Sequence, residues 1–167
     1  MNSHSHFNER KAELISEYIS KNKGARRGKT IVNLSLFLIL FSRVALALFE
    51  MPVFIIQHRP INLLAILLLF PLLIILFIVY KGAKGFGYVT LVSPTLRLIL
   101  YFSLVYKNMP QDTLTEIYSF TLFGVLLLQF FLSIIILVSY DCDTYFTAIQ
   151  RITIKVHGED LLRSKNK

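Results

Sequence analysis

Apolar residues in this chain are bunched into four long blocks separated by short charged stretches. The clearest is Ile61–Tyr80, INLLAILLLFPLLIILFIVY, which carries no charge and has Pro71 near its middle. At about 1.5 Å of rise per residue, a helix of this length spans roughly 30 Å, the thickness of a bilayer's hydrocarbon core. Blocks at 31–50, 86–106 and 116–140 read as further spans, the first with room to run on to Ile56 through a bend at Pro52. The pattern predicts an all-α membrane protein: a four-transmembrane-helix bundle over 31–140, an N-terminal amphipathic helix with a basic anchor in 1–30, and a short cytoplasmic C-terminal helix in 141–167.

Outside the blocks the periodicity changes. Phe7, Leu14, Ile15, Tyr18 and Ile19 recur at helical spacing with charges on the opposite face. This predicts a helix over 7–23 that lies on the membrane surface or against the inner ends of the spans, with Gly24 as its stop. Glu17 and Lys21 form an (i, i+4) pair in the favourable order. In the tail, Tyr145, Phe146, Ile149, Ile152 and Val156 fit a helical stripe, while Ile152, Ile154 and Val156 also alternate as in a strand. The reading preferred is a helix that continues from the fourth span and breaks at Gly158. Tyr80, Tyr88, Tyr106, Tyr118 and Tyr140 fall near span boundaries, where an aromatic belt places them.

Charge adds sidedness. Of the 18 Lys and Arg residues, fourteen fall on the side of the two termini and the 81–85 turn, two (Arg59 and Lys107) on the other, and two (Arg43 and Arg97) within spans. The positive-inside rule then puts both termini in the cytoplasm of a multi-pass cell-membrane protein. Arg26, Arg27, Lys29, Lys81 and Lys84 are the expected membrane-surface contacts. The formal net charge of +8 is spread along span edges and forms no isolated basic face, so the expected partner is a bilayer with anionic headgroups and no nucleic acid. Residues 1–30 have no short apolar segment followed by a small-residue cleavage site, so the first span is expected to direct insertion.

The chemistry-bearing residues are few. Cys142 is the only cysteine, which removes an internal disulfide and a thiolate ligand set. His4 and His6 are a weak metal signal, Gly85-Phe86-Gly87 lacks the rest of a phosphate loop, and no catalytic motif is present. No cofactor, metal or catalytic residue is expected. What remains is a mid-membrane polar layer. Arg43 and Arg97 each lie about eleven or twelve residues into outward-running spans, and Gln129 about midway along the fourth. An arginine at that depth costs about 2.5–3.5 kcal/mol on insertion scales and so faces the bundle interior. Glu50, seven residues after Arg43, lies on the same helix face roughly 10 Å further along. These four residues are the candidate ligand or anion site, with Pro94 placed to kink the third span beside Arg97. Arginines that staple helices through carbonyls are the structural reading of the same layer.

Three classes of function follow. The first is a non-enzymatic accessory, regulatory or immunity-type subunit that binds another membrane protein, a second copy of itself or lipid. The second is a small oligomeric transporter or channel using the polar layer for an anion or lipid headgroup. The third is a lipid-binding or lipid-active protein. Short loops and charged terminal segments favour the first.

Overall fold

A computed structural model describes residues 3–56, 69–105 and 113–165, nearly all of them helical. The α-helices are α1 (Ser3–Lys21), α2 (Lys23–Ile56), α3 (Leu69–Tyr80), α4 (Gly87–Leu100), α5 (Thr113–Val138) and α6 (Tyr140–Lys165), with a 3-10 turn at Lys84–Phe86 and a π-helical stretch at Tyr101–Val105. Residues 61–68 of the second block, Arg59, Tyr106, Lys107 and the side chain of Glu50 lie outside the described residues. Two compact units are present, the described parts of Met1–Val32 with Val138–Lys167, and those of Asn33–Leu137.

In the first unit, α1 packs on α6. Ile19 from the α1 stripe is buried, as are Cys142, Tyr145, Phe146, Ile149 and Val156 from α6. Ile154 is 73% exposed, so the tail has helical and not strand periodicity. Two expected breaks are corrected. The α6 helix runs through Gly158 to Lys165, because one glycine costs a helix only about 1 kcal/mol. Among the described residues only Gly82 is a glycine with positive φ, at 99°, the conformation that would have ended α6. Gly24 likewise lies inside α2.

The break after α1 comes two residues before Gly24, at Asn22. Its Oδ1 accepts the Ala25 N–H at 3.0 Å, the side-chain cap that opens α2, and its Nδ2 donates to the Tyr18 hydroxyl at 3.2 Å. An Asn22→Ala variant should lose about 1 kcal/mol of stability, read as a lower unfolding midpoint. Loss of helix 3–21 signal without a change in midpoint would contradict the capping role. The Glu17–Lys21 pair forms at 2.5 Å, and that hydrogen bond and charge hold the Glu17 carboxyl below its usual value. Its small contribution is therefore present above the normal carboxylate pKa and fades as pH falls through the lowered one.

The second unit is apolar outside, and its interior mixes apolar side chains such as Leu46, Val79, Leu126 and Ile136 with polar ones. Phe37, Phe41, Leu48, Ile74, Val92, Leu96, Ile99, Phe120 and Phe131 are exposed, while Ser35, Ser42, Arg43, Thr90, Ser119, Gln129 and Ser133 are buried. An apolar exterior over buried polar side chains is unlike a water-soluble domain and suits helices surrounded by hydrocarbon. Three helical stretches, Lys23–Phe49, Lys84–Ser103 and Glu116–Val138, are long and apolar enough to cross a membrane, and Phe70–Tyr80 is a shorter apolar helix. These features are compatible with an integral membrane protein.

Neighbouring helices in this unit run antiparallel. Gly87 faces Leu137, Thr90 meets Ser133 and Tyr101 meets Ser119, which aligns α4 against α5. Ser42 meets Gln129 and Phe49 stacks on Tyr118 at 6.3 Å, which aligns α2 against α5. Residues 33–40 of α2 lie opposite 73–80 of α3. Asn33, Tyr80, Gly87 and Leu137 thus share one end of the unit.

Candidate functional site

The interior of the second unit holds a set of bonded polar groups, most of which leave little trace in the sequence. It begins with Pro94. Proline has no N–H to give the carbonyl four residues back, and in α4 that carbonyl belongs to Thr90. Ser133 of α5 supplies what proline cannot: its Oγ lies 3.1 Å from Thr90 O. The same hydroxyl lies 2.8 Å from Gln129 O, so its one proton serves either carbonyl. The Thr90 hydroxyl donates within its own helix to Gly87 O at 2.6 Å.

One turn further along α5, Gln129 Nε2 donates to Ser42 Oγ at 2.9 Å, and Ser42 Oγ donates in turn to Ile39 O at 2.9 Å. Both functions of the Ser42 hydroxyl are therefore used. Gln129 is 2% exposed, so this bond joins α2 to α5 away from solvent. A third link lies nearer the other end, where Ser119 Oγ donates to the Tyr101 hydroxyl at 3.0 Å at the start of the π-helical stretch. There Tyr101, Phe102 and Phe123 form an aromatic cluster with centroids 5.4–5.6 Å apart.

The candidate residues fall around this set unevenly. Arg43 follows Ser42 and is buried. Arg97 is half-buried. Following the antiparallel pairings, Arg43 lies about level with Leu128 and Arg97 about level with Val125, so both guanidinium-bearing residues fall within roughly 6 Å of Gln129 along α5. The structure joins Gln129 to Ser42 by a direct bond. Glu50 is a residue of α2 whose side chain lies outside the description. Among the surface cations, Arg26, Arg27, Lys29 and Lys81 are exposed and Lys84 is half-buried, and the Lys81 ammonium sits over the Phe77 ring, 5.2 Å from its centroid. Among the described residues no group of three or more His, Cys, Asp or Glu is placed to hold a metal ion.

Ser42, Thr90 and Ser133 left a faint trace in the sequence. Hydroxyls are scattered through apolar spans here, and only the Pro94-to-Thr90 offset marks one of them as needing a partner. Gln129→Leu should cost about 0.6 kcal/mol and no more than about 1.7, the range for interhelical hydrogen bonds whose groups find other partners when helices separate. Reversible unfolding in detergent would measure this, and a loss well above that range would mean Gln129 holds more than Ser42.

No described protein family, curated protein or solved structure matches this chain.

Proposed function

We propose that the chain is a four-crossing protein of the cell membrane with both termini in the cytoplasm, acting without catalysis as an accessory, regulatory or immunity-type subunit through contacts with another membrane protein or with lipid. The observation that carries this reading is the second unit's apolar exterior over buried polar side chains, which hydrogen-bond to facing side chains or to backbone carbonyls. Gln129 and Ser42 spend their polarity on joining α2 to α5, which is what helix packing in hydrocarbon requires, and leave a broad apolar exterior for lipid or a partner helix.

Topology supports the crossing number. The chain enters the second unit at Asn33 and leaves at Leu137, both at the same end, so the number of passes between them is even. Three candidate spans are odd, and a crossing that ends in the apolar helix α3 would make the count even. The shared first unit of the two terminal segments supports a common side for both termini, and the excess of Lys and Arg there supports the cytoplasmic side.

The test is reactivity of single cysteines at positions 43, 97 and 129, in a Cys142→Ser background, toward a membrane-impermeant thiol reagent in intact cells. The expected result is silence at all three while a control at Lys107 labels. Labelling at 43 and 97 would instead support the second reading, an oligomeric transporter or channel with an anion-binding layer, for which the burial of Arg43 beside the Ser42–Gln129 bond is the favouring observation.

A further inference from the structure

Between Thr90 and Thr95 the α4 helix is weakened at three residues in close succession. Pro94 leaves Thr90 O without a donor from its own helix, and its ring crowds that carbonyl. The Thr90 hydroxyl bonds back to Gly87 O at 2.6 Å, and the Thr95 hydroxyl bonds back to Leu91 O at 2.7 Å. Hydroxyls turned onto their own helix in this way soften and bend it. The two halves of α4 are held to α5 by different means. The half after Pro94 leads into Tyr101, which is buried, bonded to Ser119 and packed against the Phe123 ring. The half before it, Gly87–Ser93, is held where Gly87 faces the Leu137 side chain and where Ser133 reaches Thr90 O.

On the α5 side the Ser133 bond is cheap to give up. Its hydroxyl lies 2.8 Å from Gln129 O and 3.1 Å from Thr90 O. When α4 draws away, the proton stays with Gln129 O, so the hydrogen-bond cost of opening falls on Thr90 O alone. At its other end the Gly87–Ser93 half connects to α3 through the turn at Gly82, where φ is 99°; turn and element-terminal residues of this kind absorb backbone rotation in hinges. We propose that Gly87–Ser93 is a hinged segment that swings off α5 about Pro94, with the Ser133 hydroxyl as its latch. Opening uncovers Thr90 and Ser133, both buried in the closed state, and gives the bundle two states for a partner helix to select between. The inference rests on the packing of α4 against α5 and not on sidedness or on any role of Arg43 or Arg97.

Paired spin labels on the full-length protein in lipid nanodiscs test it, in a Cys142→Ser background. Tyr88→Cys with Ile135→Cys spans the hinged half, and Ile99→Cys with Phe120→Cys spans the other; all four positions are exposed. The expected result is two distances across the first pair and one across the second. Ser133→Ala raises the population of the longer distance at least about tenfold, and in a Pro94→Ala background, where the backbone bond to Thr90 O returns, it changes that population by less than about threefold. A single distance across the first pair, or a population that Ser133→Ala leaves unmoved, would overturn the latch. Two distances across both pairs would overturn the hinge, because α4 then moves as one body. If Ser133→Ala disturbs the second pair as well, Pro94→Ala alone decides: it must remove the longer distance from the first pair, and its persistence there sinks the proposal.

Discussion

Gly28→Ala should separate α6 from the start of α2. An ideal Cβ at Gly28 would fall inside the backbone carbonyl of Asp141 and within 3.0 Å of Cys142 N. The obstruction is main chain, so no rotamer change relieves it. Only a shift of α6 does, and Cys142, whose Sγ contacts Gly28 O at 3.9 Å, is fully buried in that contact. The cost should reach or exceed the top of the range of about 1–3 kcal/mol for overpacking. It should appear as faster amide exchange across 140–156, with α5 unaffected. Gly24→Ala is the internal control. Its Cβ would meet side-chain atoms of Asn22 and Asp141 at 3.4 Å, an ordinary contact, and the helix-propensity gain of about 1 kcal/mol offsets any adjustment. Equal, mild effects at both glycines would show that the close approach of α2 and α6 is not what holds this unit together.

Ser133→Ala should cost more than a typical interhelical hydrogen bond, about 1.5–2 kcal/mol against an average near 0.6. The usual value is low because the groups find other partners when the helices separate in the membrane. Thr90 O has no such alternative within α4, since Pro94 lacks the N–H that would have met it. The carbonyl is satisfied only when α4 and α5 pack. In a Pro94→Ala background the backbone bond returns, and Ser133→Ala should then cost no more than about 0.6 kcal/mol. The double-mutant cycle therefore predicts a coupling near 1 kcal/mol between two residues that carry no charge. A coupling of zero would mean Thr90 O is met by another group.

Much of this arrangement was legible before any coordinates. The long uncharged runs, the (i, i+4) pair of Glu17 and Lys21, and the stripe of Tyr145, Phe146, Ile149 and Val156 are local patterns, and local patterns survive into the fold. The glycines are less informative. Gly24 and Gly158 look like stops, yet both lie inside helices, because a glycine ends a helix only when its φ turns positive and a cap follows. Asn22 was the true punctuation, and its signal was a capping side chain three residues before a free N–H.

The polar layer divides the same way. Arg43, Arg97 and Gln129 stand out by cost, since each is expensive in hydrocarbon. Ser42 and Ser133 do not stand out, because a serine in a membrane helix can bond to its own backbone at little expense. Their roles depend on which carbonyl or amide lies opposite, and that depends on helix register.

The helical, membrane-compatible class of the chain and the residues whose burial would need partners follow from the sequence, because run length, charge and side-chain hydration are properties of each segment alone. The pairing of Ser133 with Thr90, of Gln129 with Ser42, and of α1 with α6 is set by the tertiary structure alone. Each of these joins residues distant in the chain, and side-chain packing between helices, not the hydropathy of any one of them, selects the register that brings them together.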